Sequence, residues 1–312
     1  MTLPSTGAIS ASDINVELRR PASSPLSFAD PVIRQLAGKA TGPVTFDDFK
    51  GKSAFYNATG GTITTFSENG KTYRVHTFTE GGTFEVTNQG ALSDIEALLV
   101  AGGGGAVRNT ADDNRGGGGG GGGVVDPRDL VLAVGQYPVV VGAGGPRGET
   151  NADRGEKGED STFAGVVAIG GGGGASRRGL RPGGDGGSGG GGGARRGTSN
   201  QGQGGAAQQP TSESGGLGFA GGPGSTGSSG GGGGGAGGAG GTPTGGPSVE
   251  INFDGVATLY AGGGSGATGG DPGTGGSTGT GPGGGHGGAP GRSRGGGPGR
   301  AGIVKIRYEV DE

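Results

Sequence analysis

Apolar and polar positions alternate clearly only near the two ends of the chain. Between them apolar side chains become sparse. Residues 303–310 have the cleanest pattern: Val304, Ile306, Tyr308 and Val310 point one way, and Lys305, Arg307 and Glu309 the other. This predicts a strand with one buried and one solvated face. Residues 62–67 and 71–78 flank Asn69-Gly70, which predicts a tight hairpin. On its second strand Tyr73 and Val75 alternate with Arg74 and His76, so His76 is expected on the exposed side. Phe84 and Val86 mark another strand, and 93–101, with Ile95, Leu98, Leu99 and Val100, reads as a buried one. Shorter islands follow at 130–134 and 137–141 (a second hairpin across Gly135-Gln136), at 163–169 and at 249–261.

The first 55 residues carry a different pattern. Ser10 and Asp13, Ser27 and Asp30, and Thr45 and Asp48 each set a hydroxyl three positions before an acid. That is capping-box spacing with Asp as the acid. It predicts short helices over 10–18, 27–37 and 45–50. Ile9 with Ile14, and Val44 with Phe49, have the spacing of hydrophobic staples. A segment this small is a poor candidate for a core of its own. Ile9, Ile14, Leu18, Leu26, Phe28, Val44, Phe46 and Phe49 are therefore expected to dock on another protein. A helical cap on the chain's own next domain is the alternative.

Residues 102–302 hold most of the 91 glycines of the 312-residue chain. Only 28% of residues are hydrophobic and 5% aromatic, far below the roughly 45–50% apolar content of ordinary domains. Glycine buries no side chain and is costly to order. Such a stretch is either a linker or a lattice of backbone on backbone. The net charge of -3 is too small for a typical disordered chain. Extended threefold helices have no internal hydrogen bonds and offer every amide to a neighbour. Glycine alone lets them pack closely, so Gly120, Gly191 and Gly233 are expected inside a polyglycine-II sandwich. A collagen register fails, since the Gly155-Glu156-Lys157-Gly158 triplet is lost on both sides. The polar segments 107–115, 146–160, 176–182, 194–203, 208–214 and 266–280 must then be turns gathered at the ends of the rods. Within them Arg108, Asn109, Asp112, Asp113, Arg147, Asn151, Arg177, Arg178, Arg195 and Arg196 are the candidate receptor-contact residues.

Catalytic signals are weak. Cysteine is absent, and His76 and His286 stand without convergent ligands. Gly51-Lys52-Ser53 lacks the upstream glycine of a phosphate loop, and Asp112-Asp113-Asn114 lacks calcium-loop spacing. Arg292-Ser293-Arg294-Gly295 is a single, aromatic-free hint of a nucleic-acid tail. The expectation is a binding or structural protein: no enzyme, no cofactor, no metal and no nucleic-acid partner. No apolar run reaches membrane-spanning length, and the start lacks a basic-then-apolar signal segment.

Two parts of the sequence resemble known proteins. Leu3-Pro4-Ser5-Thr6-Gly7-Ala8-Ile9-Ser10-Ala11-Ser12-Asp13-Ile14, echoed by Thr45-Phe46-Asp47-Asp48-Phe49-Lys50-Gly51-Lys52-Ser53, resembles the N-terminal segment of tailed-bacteriophage tail proteins. The stretch from Tyr73 to Val86, then Ile95 to Gly105, and the ending Gly302-Ile303-Val304-Lys305-Ile306-Arg307-Tyr308 resemble the glycine-rich domain of phage tail fibres and adhesins. The resemblance implies a mostly β and polyglycine-II fold. A short-helix docking arm (1–55) would precede a β-framed glycine-rich domain (56–312), with strands clamping a polyglycine-II core at about 102–302. It further implies a virion tail protein, fibre or tip, assembled in the host cytoplasm. Its partners would be other tail or baseplate proteins and a bacterial surface receptor, either a glycan or an outer-membrane protein. It allows a homotrimer. The tip segments lack the aromatics of strong binding hot spots. A tail-tip or baseplate scaffold without receptor contact is therefore the first alternative, and a non-viral ice-binding or wall-like glycine-rich protein the second.

Overall fold

The structure, a computed structural model, describes residues 2–92, 94–107, 114–148, 154–176, 182–195, 201–226, 229–268, 279–287 and 296–311. Three tiers follow one another along one axis: a helical cap, a pair of β-sheets and a glycine lattice.

The cap folds from its local start signals. Asp13 N–H donates to Ser10 Oγ at 3.2 Å, and Ser10 N–H donates to the Asp13 carboxylate at 2.8 Å. Helix α1 (Ala11–Glu17) thus opens on a reciprocal capping box. Helix α2 (Pro31–Ala37) is shorter than expected. Its cap is Asp30, not Ser27; Asp30 Oδ1 accepts from Val32 N–H at 2.9 Å. The reason is Pro31, which disfavours helical geometry at the residue before it. Gly38, at φ 70°, ends the helix in the left-handed conformation. The third element is a single 3-10 turn, Phe46–Phe49, where the Asp48 carboxylate accepts from Thr45 N–H at 2.7 Å.

These elements make a core of their own. Ile9, Ile14, Leu18, Val44 and Phe49 are buried with Leu3, Ile33, Leu36, Ala37, Ala54 and Phe55, and Leu26 and Phe28 pack at its margin. The expectation that the arm's apolar residues await a partner surface is corrected. Ala54, Phe55 and Ala91, from beyond the helical segment, supply the missing wall. Of the eight residues, only Phe46 stays exposed. The cap is also tied to the sheets. Glu17 accepts from Ala54 N–H at 2.7 Å, Gln35 Nε2 donates to Gly90 O at 2.8 Å, and Arg19 pairs with Glu309 at 2.6 Å.

The strands in chain order are β1 (Asn57–Thr59), β2 (Thr62–Glu68), β3 (Lys71–Phe78), β4 (Gly82–Asn88), β5 (Ile95–Val100), β6 (Asn114–Arg115), β7 (Val124–Val125), β8 (Gly135–Val140), β9 (Ser161–Phe163), β10 (Val166–Ala168), β11 (Ala194–Arg195), β12 (Val249–Asn252), β13 (Ala257–Tyr260) and β14 (Ile303–Val310). Two antiparallel five-stranded sheets, ordered β2-β3-β14-β5-β7 and β1-β4-β8-β9-β10, face each other. Phe84, Ile95, Leu99, Phe163, Val304, Ile306 and Tyr308 fill the space between them. Asn69 and Gly70, at φ 52° and 75°, make the expected two-residue turn between β2 and β3. The islands at 163–169 and 249–261 both contribute hairpins, β9–β10 and β12–β13.

Two strand expectations are corrected. Residues 130–134 do not fold back on β8. Leu130 exchanges backbone bonds with Ile95, and Leu132 N–H donates to the Tyr56 hydroxyl at 3.1 Å, so this segment is held by the core between the sheets. β8 pairs instead with β4 and β9. β14 has no solvated face either. Its neighbours β3 and β5 flank it, and the β12–β13 hairpin lies over its polar side. Lys305 meets Asp254 at 2.6 Å, and Arg307 meets Glu96 at 2.8 Å with the rings of Phe66, Tyr73 and Phe253 around its guanidinium. Glu309 is paired by Arg19 and by Lys71.

The glycine region is a lattice with a threefold pattern of donors. Gly117, Gly120 and Gly123 donate to Ala175, Gly172 and Ile169. Gly118 and Gly121 donate to Gly231 and Gly234, and Gly119 and Gly122 to His286 and Gly283. Bonds that rotate with every residue and return on every third define a polyproline-II-type helix. The same rod accepts from Gly104, from Ser188 and Gly191, and from Gly264 and Ala267. It is thus enclosed on all sides by other rods, some parallel and some antiparallel to it. A methyl group has no room here. A Cβ would lie 2.2 Å from Ser188 O at Gly120, 2.0 Å from Gly231 O at Gly191 and 2.1 Å from Gly119 O at Gly233. The expected polyglycine core is thus real at all three positions.

The rods continue the strands. β5 runs into 101–107, β8 into 141–148, β10 into 169–176 and β13 into 261–268. In the other direction 116–123 runs into β7, 154–160 into β9 and 296–302 into β14.

Candidate functional site

Because rods begin at the sheets, their other ends define a distal surface opposite the cap. Ala106 N–H donates to Gly297 O, Gly148 N–H to Ala106 O, Gly117 N–H to Ala175 O and Ala175 N–H to Gly191 O. Gly202 N–H donates to Gly193 O, and Ala267 N–H to Gly116 O. Arg115 and Ala194 are paired in the short β6–β11 ladder. These neighbouring positions flank segments 108–113, 149–153, 177–181, 196–200 and 288–295. Hydrogen-bonded main chain thus brings together the bases of five polar segments far apart in sequence.

Of the candidate receptor-contact residues, Arg195 is exposed and Arg147 half-buried at this end. Arg108, Asn109, Asp112, Asp113, Asn151, Arg177, Arg178 and Arg196 lie outside the described residues. Arg115, which was not among the candidates, is almost fully buried at the same end. Segment 208–214 is not a distal turn. Gln209 is buried, and its side chain accepts from Ile169 N–H at 2.6 Å and donates to Ser212 Oγ at 2.9 Å beside β10. A chain that rises to the far end must also return, and this is one of its turns at the base. Thr280 is likewise near the base, accepting from Gly262 N–H.

The two histidines differ from expectation in one case. His76 is fully buried between the sheets, not exposed. Gly60 O accepts from Nδ1 at 2.7 Å, so the proton sits on Nδ1 and Nε2 accepts from the Tyr308 hydroxyl at 3.1 Å. That hydroxyl in turn accepts from Ala58 N–H at 3.0 Å. Burial pushes the His76 pKa down and the Tyr308 pKa up. His286 belongs to a rod through its backbone, and its ring accepts from Gly297 N–H at 3.1 Å. Among the described residues, no three His, Cys, Asp or Glu side chains come together as a metal site.

Sequence reading gave no sign of one further feature. A cleft of about 260 Å³ opens where the cap meets the sheets, lined by Ser53, Asn57, Arg74 and Asn88 among others. It is polar, and Arg74 Nη1 donates to Asn57 Oδ1 at 3.1 Å within it. It depends on residues from three separate elements, which no local pattern relates.

A comparison with curated proteins finds no match. The sequence pattern of a family described as a glycine-rich domain matches residues 78–309. The matched span runs from the last residue of β3 to the penultimate residue of β14, so it takes in the lattice with most of its strand frame. The chain belongs to this glycine-rich domain family.

Proposed function

We propose that this protein is a structural component of a bacteriophage tail, a fibre or tip protein that presents polar segments to the bacterial surface. One observation carries the reading: the cap and the rod ends lie at opposite ends of the β-sheets, joined through continuous backbone hydrogen bonds. Such an arrangement suits a protein attached at one end and exposed at the other. Its mechanism is binding. The lattice fixes the bases of the distal segments before contact, which lowers the entropy cost of association.

Charge narrows the partner. Besides the buried Arg115, the segments 107–115, 146–154, 176–182, 194–203 and 288–295 together contain Arg108, Arg147, Arg154, Arg177, Arg178, Arg181, Arg195, Arg196, Arg292 and Arg294. Against these stand only Asp112, Asp113, Glu149 and Asp153, in a chain whose net charge is -3. Arginine forks bind phosphate and carboxylate in pairs of bonds. An anionic surface glycan is the receptor class these segments fit best.

The purified protein should compete with intact phage for adsorption to host cells. A variant with Arg177, Arg178, Arg195 and Arg196 changed to Ser should lose that competition while its melting temperature is retained. Undiminished competition would remove the receptor role and leave the tail-scaffold reading. Absence of the protein from purified particles would refute the virion assignment itself.

A further inference from the structure

The two sheets have four edges, and three are guarded by brevity or irregularity. β7 has two residues, β10 has three, and β1 has three with a register break between Asn57 and Ala58. Such devices keep sheets from pairing edge to edge. β2 has none of them. It is a seven-residue edge strand, Thr62-Ile63-Thr64-Thr65-Phe66-Ser67-Glu68. It contains no proline and no lysine, and all its residues except the half-buried Phe66 are exposed. Ile63 is 47% exposed, an uncommon state for a β-branched apolar residue on a strand.

The hydrogen-bond parity of this edge follows from its turn. The two-residue turn at Asn69-Gly70 makes Glu68 and Lys71 a bonded pair. Alternation then spends the backbone groups of Thr62, Thr64, Phe66 and Glu68 on β3. Those of Ile63, Thr65 and Ser67 point away from the sheet. Among the described residues, no other strand pairs with this edge.

We propose that β2 is the seat of a homodimer, in which two copies pair their β2 strands antiparallel about a two-fold axis at Thr65. The register is self-complementary. Thr65 faces Thr65 of the second copy, and Ile63 faces Ser67, so each residue with outward backbone groups meets another of the same kind. Glu68, the strand's one charge, lies opposite Thr62 and not opposite itself. Threonine pairs on one face are favourable cross-strand neighbours. Ile63 gains cover. An isologous contact of this type closes at two copies, and the two sheets become one continuous sheet of ten strands. The inference is independent of the proposed tail function.

Light scattering on the full chain at high micromolar concentration should give twice the monomer mass. Hydrogen exchange should show the amides of Ile63, Thr65 and Ser67 protected in that dimer. Thr65→Pro removes an outward amide that β3 does not use, and Thr65→Lys sets two ammonium groups face to face across the axis. Both variants should be monomers, and in Thr65→Lys the Ile63 and Ser67 amides should exchange freely. If Thr65→Pro misfolds, Thr65→Lys and the wild-type exchange pattern decide. A wild-type monomer with three freely exchanging amides overturns the proposal. So does a dimer that survives Thr65→Lys, and so does protection of the edge by a strand of some other protein.

Discussion

Replacing Gly120 with alanine tests the lattice most directly. At an open glycine with ordinary backbone angles this change stabilises a protein by about 0.4–1 kcal/mol, because it restricts the unfolded chain. The lattice reverses the sign. The new Cβ would sit 2.2 Å from Ser188 O and 2.7 Å from Gly189 O, both backbone atoms. To reach an ordinary contact of 3.4 Å, the neighbouring rod must retreat by about 1.2 Å. That rod donates from Ser188 to Gly121 at 3.0 Å and from Gly191 to Gly118 at 2.7 Å, and both bonds would be stretched beyond use. Two buried hydrogen bonds at about 0.5–1.5 kcal/mol each, with an overpacking cost of about 1–3 kcal/mol, give a loss of about 2–6 kcal/mol. Gly241→Ala is the control: the nearest atoms to its Cβ are 3.7 and 3.9 Å away. Urea denaturation followed by circular dichroism measures both. If Gly120→Ala falls within about 0.5 kcal/mol of Gly241→Ala, the rods are not packed as described.

Three further outcomes follow from the buried polar groups and the cap. Tyr308→Phe removes the hydroxyl shared by Ala58 N–H and His76 Nε2, and it should cost about 1–3 kcal/mol in the same denaturation assay; a neutral result would mean that water replaces it. Burial holds the His76 imidazole neutral by pushing its pKa below the ordinary histidine range. The unfolded chain therefore binds this proton first as pH falls. Stability should decline below pH 6.5 by at most about 1.4 kcal/mol per unit for this one site, levelling off below the folded pKa, and a His76→Gln variant should lack that slope. In the cap, the Lys39 ammonium and the Thr45 amide lower the Asp48 pKa to about 2. Its contribution is present above 3.8 and is lost as pH falls toward 2. Acid melts of Asp48→Asn should be flatter over that window than those of the wild type.

What could be read from the sequence was local or periodic. The Asn69-Gly70 turn, the Ser10–Asp13 capping box and the glycine lattice each depend on neighbours in sequence or on composition, and each is present. The misreadings concern burial set by distant chain. Alternation in β14 predicts one dry and one wet face, but Phe253 and Asp254, about 50 residues earlier, cover the polar side. Arg307 then lies among three rings, an arrangement no window around 307 contains. His76 is buried because Phe84 and Tyr308 pack edge-on and stacked against it. The cap core closes only with Ala54, Phe55 and Ala91. Polarity alone predicts a gathering of turns at the rod ends, and which turns gather at the distal end is set by the pairing of rods: 208–214 is as polar as the others, though without arginine, and lies at the opposite end.

The hydrophobic sandwich and the glycine lattice are one hydrogen-bonded body, and this explains how so few apolar residues suffice. A free polyglycine rod gains nothing by ordering, since water satisfies its amides equally well. Rods that leave a sheet are different. β5, β10, β13 and β14 fix their first residues in direction and spacing, so much of the entropy of alignment is met by the core at Ile95, Leu99, Phe163 and Ile306. Each added residue then contributes a backbone bond to a neighbour already in place. This growth from a template requires nothing of side chains except that they be absent. Identity is therefore free to change where the rods stop and on the outward positions of peripheral rods, as at the exposed Glu156, Lys157 and Glu159. On the proposed reading, recognition residues can be exchanged at the distal end without repacking anything beneath them. Substitutions should accordingly be tolerated in 108–113 and 177–181, whereas the same side chains placed in 117–122 should prevent folding.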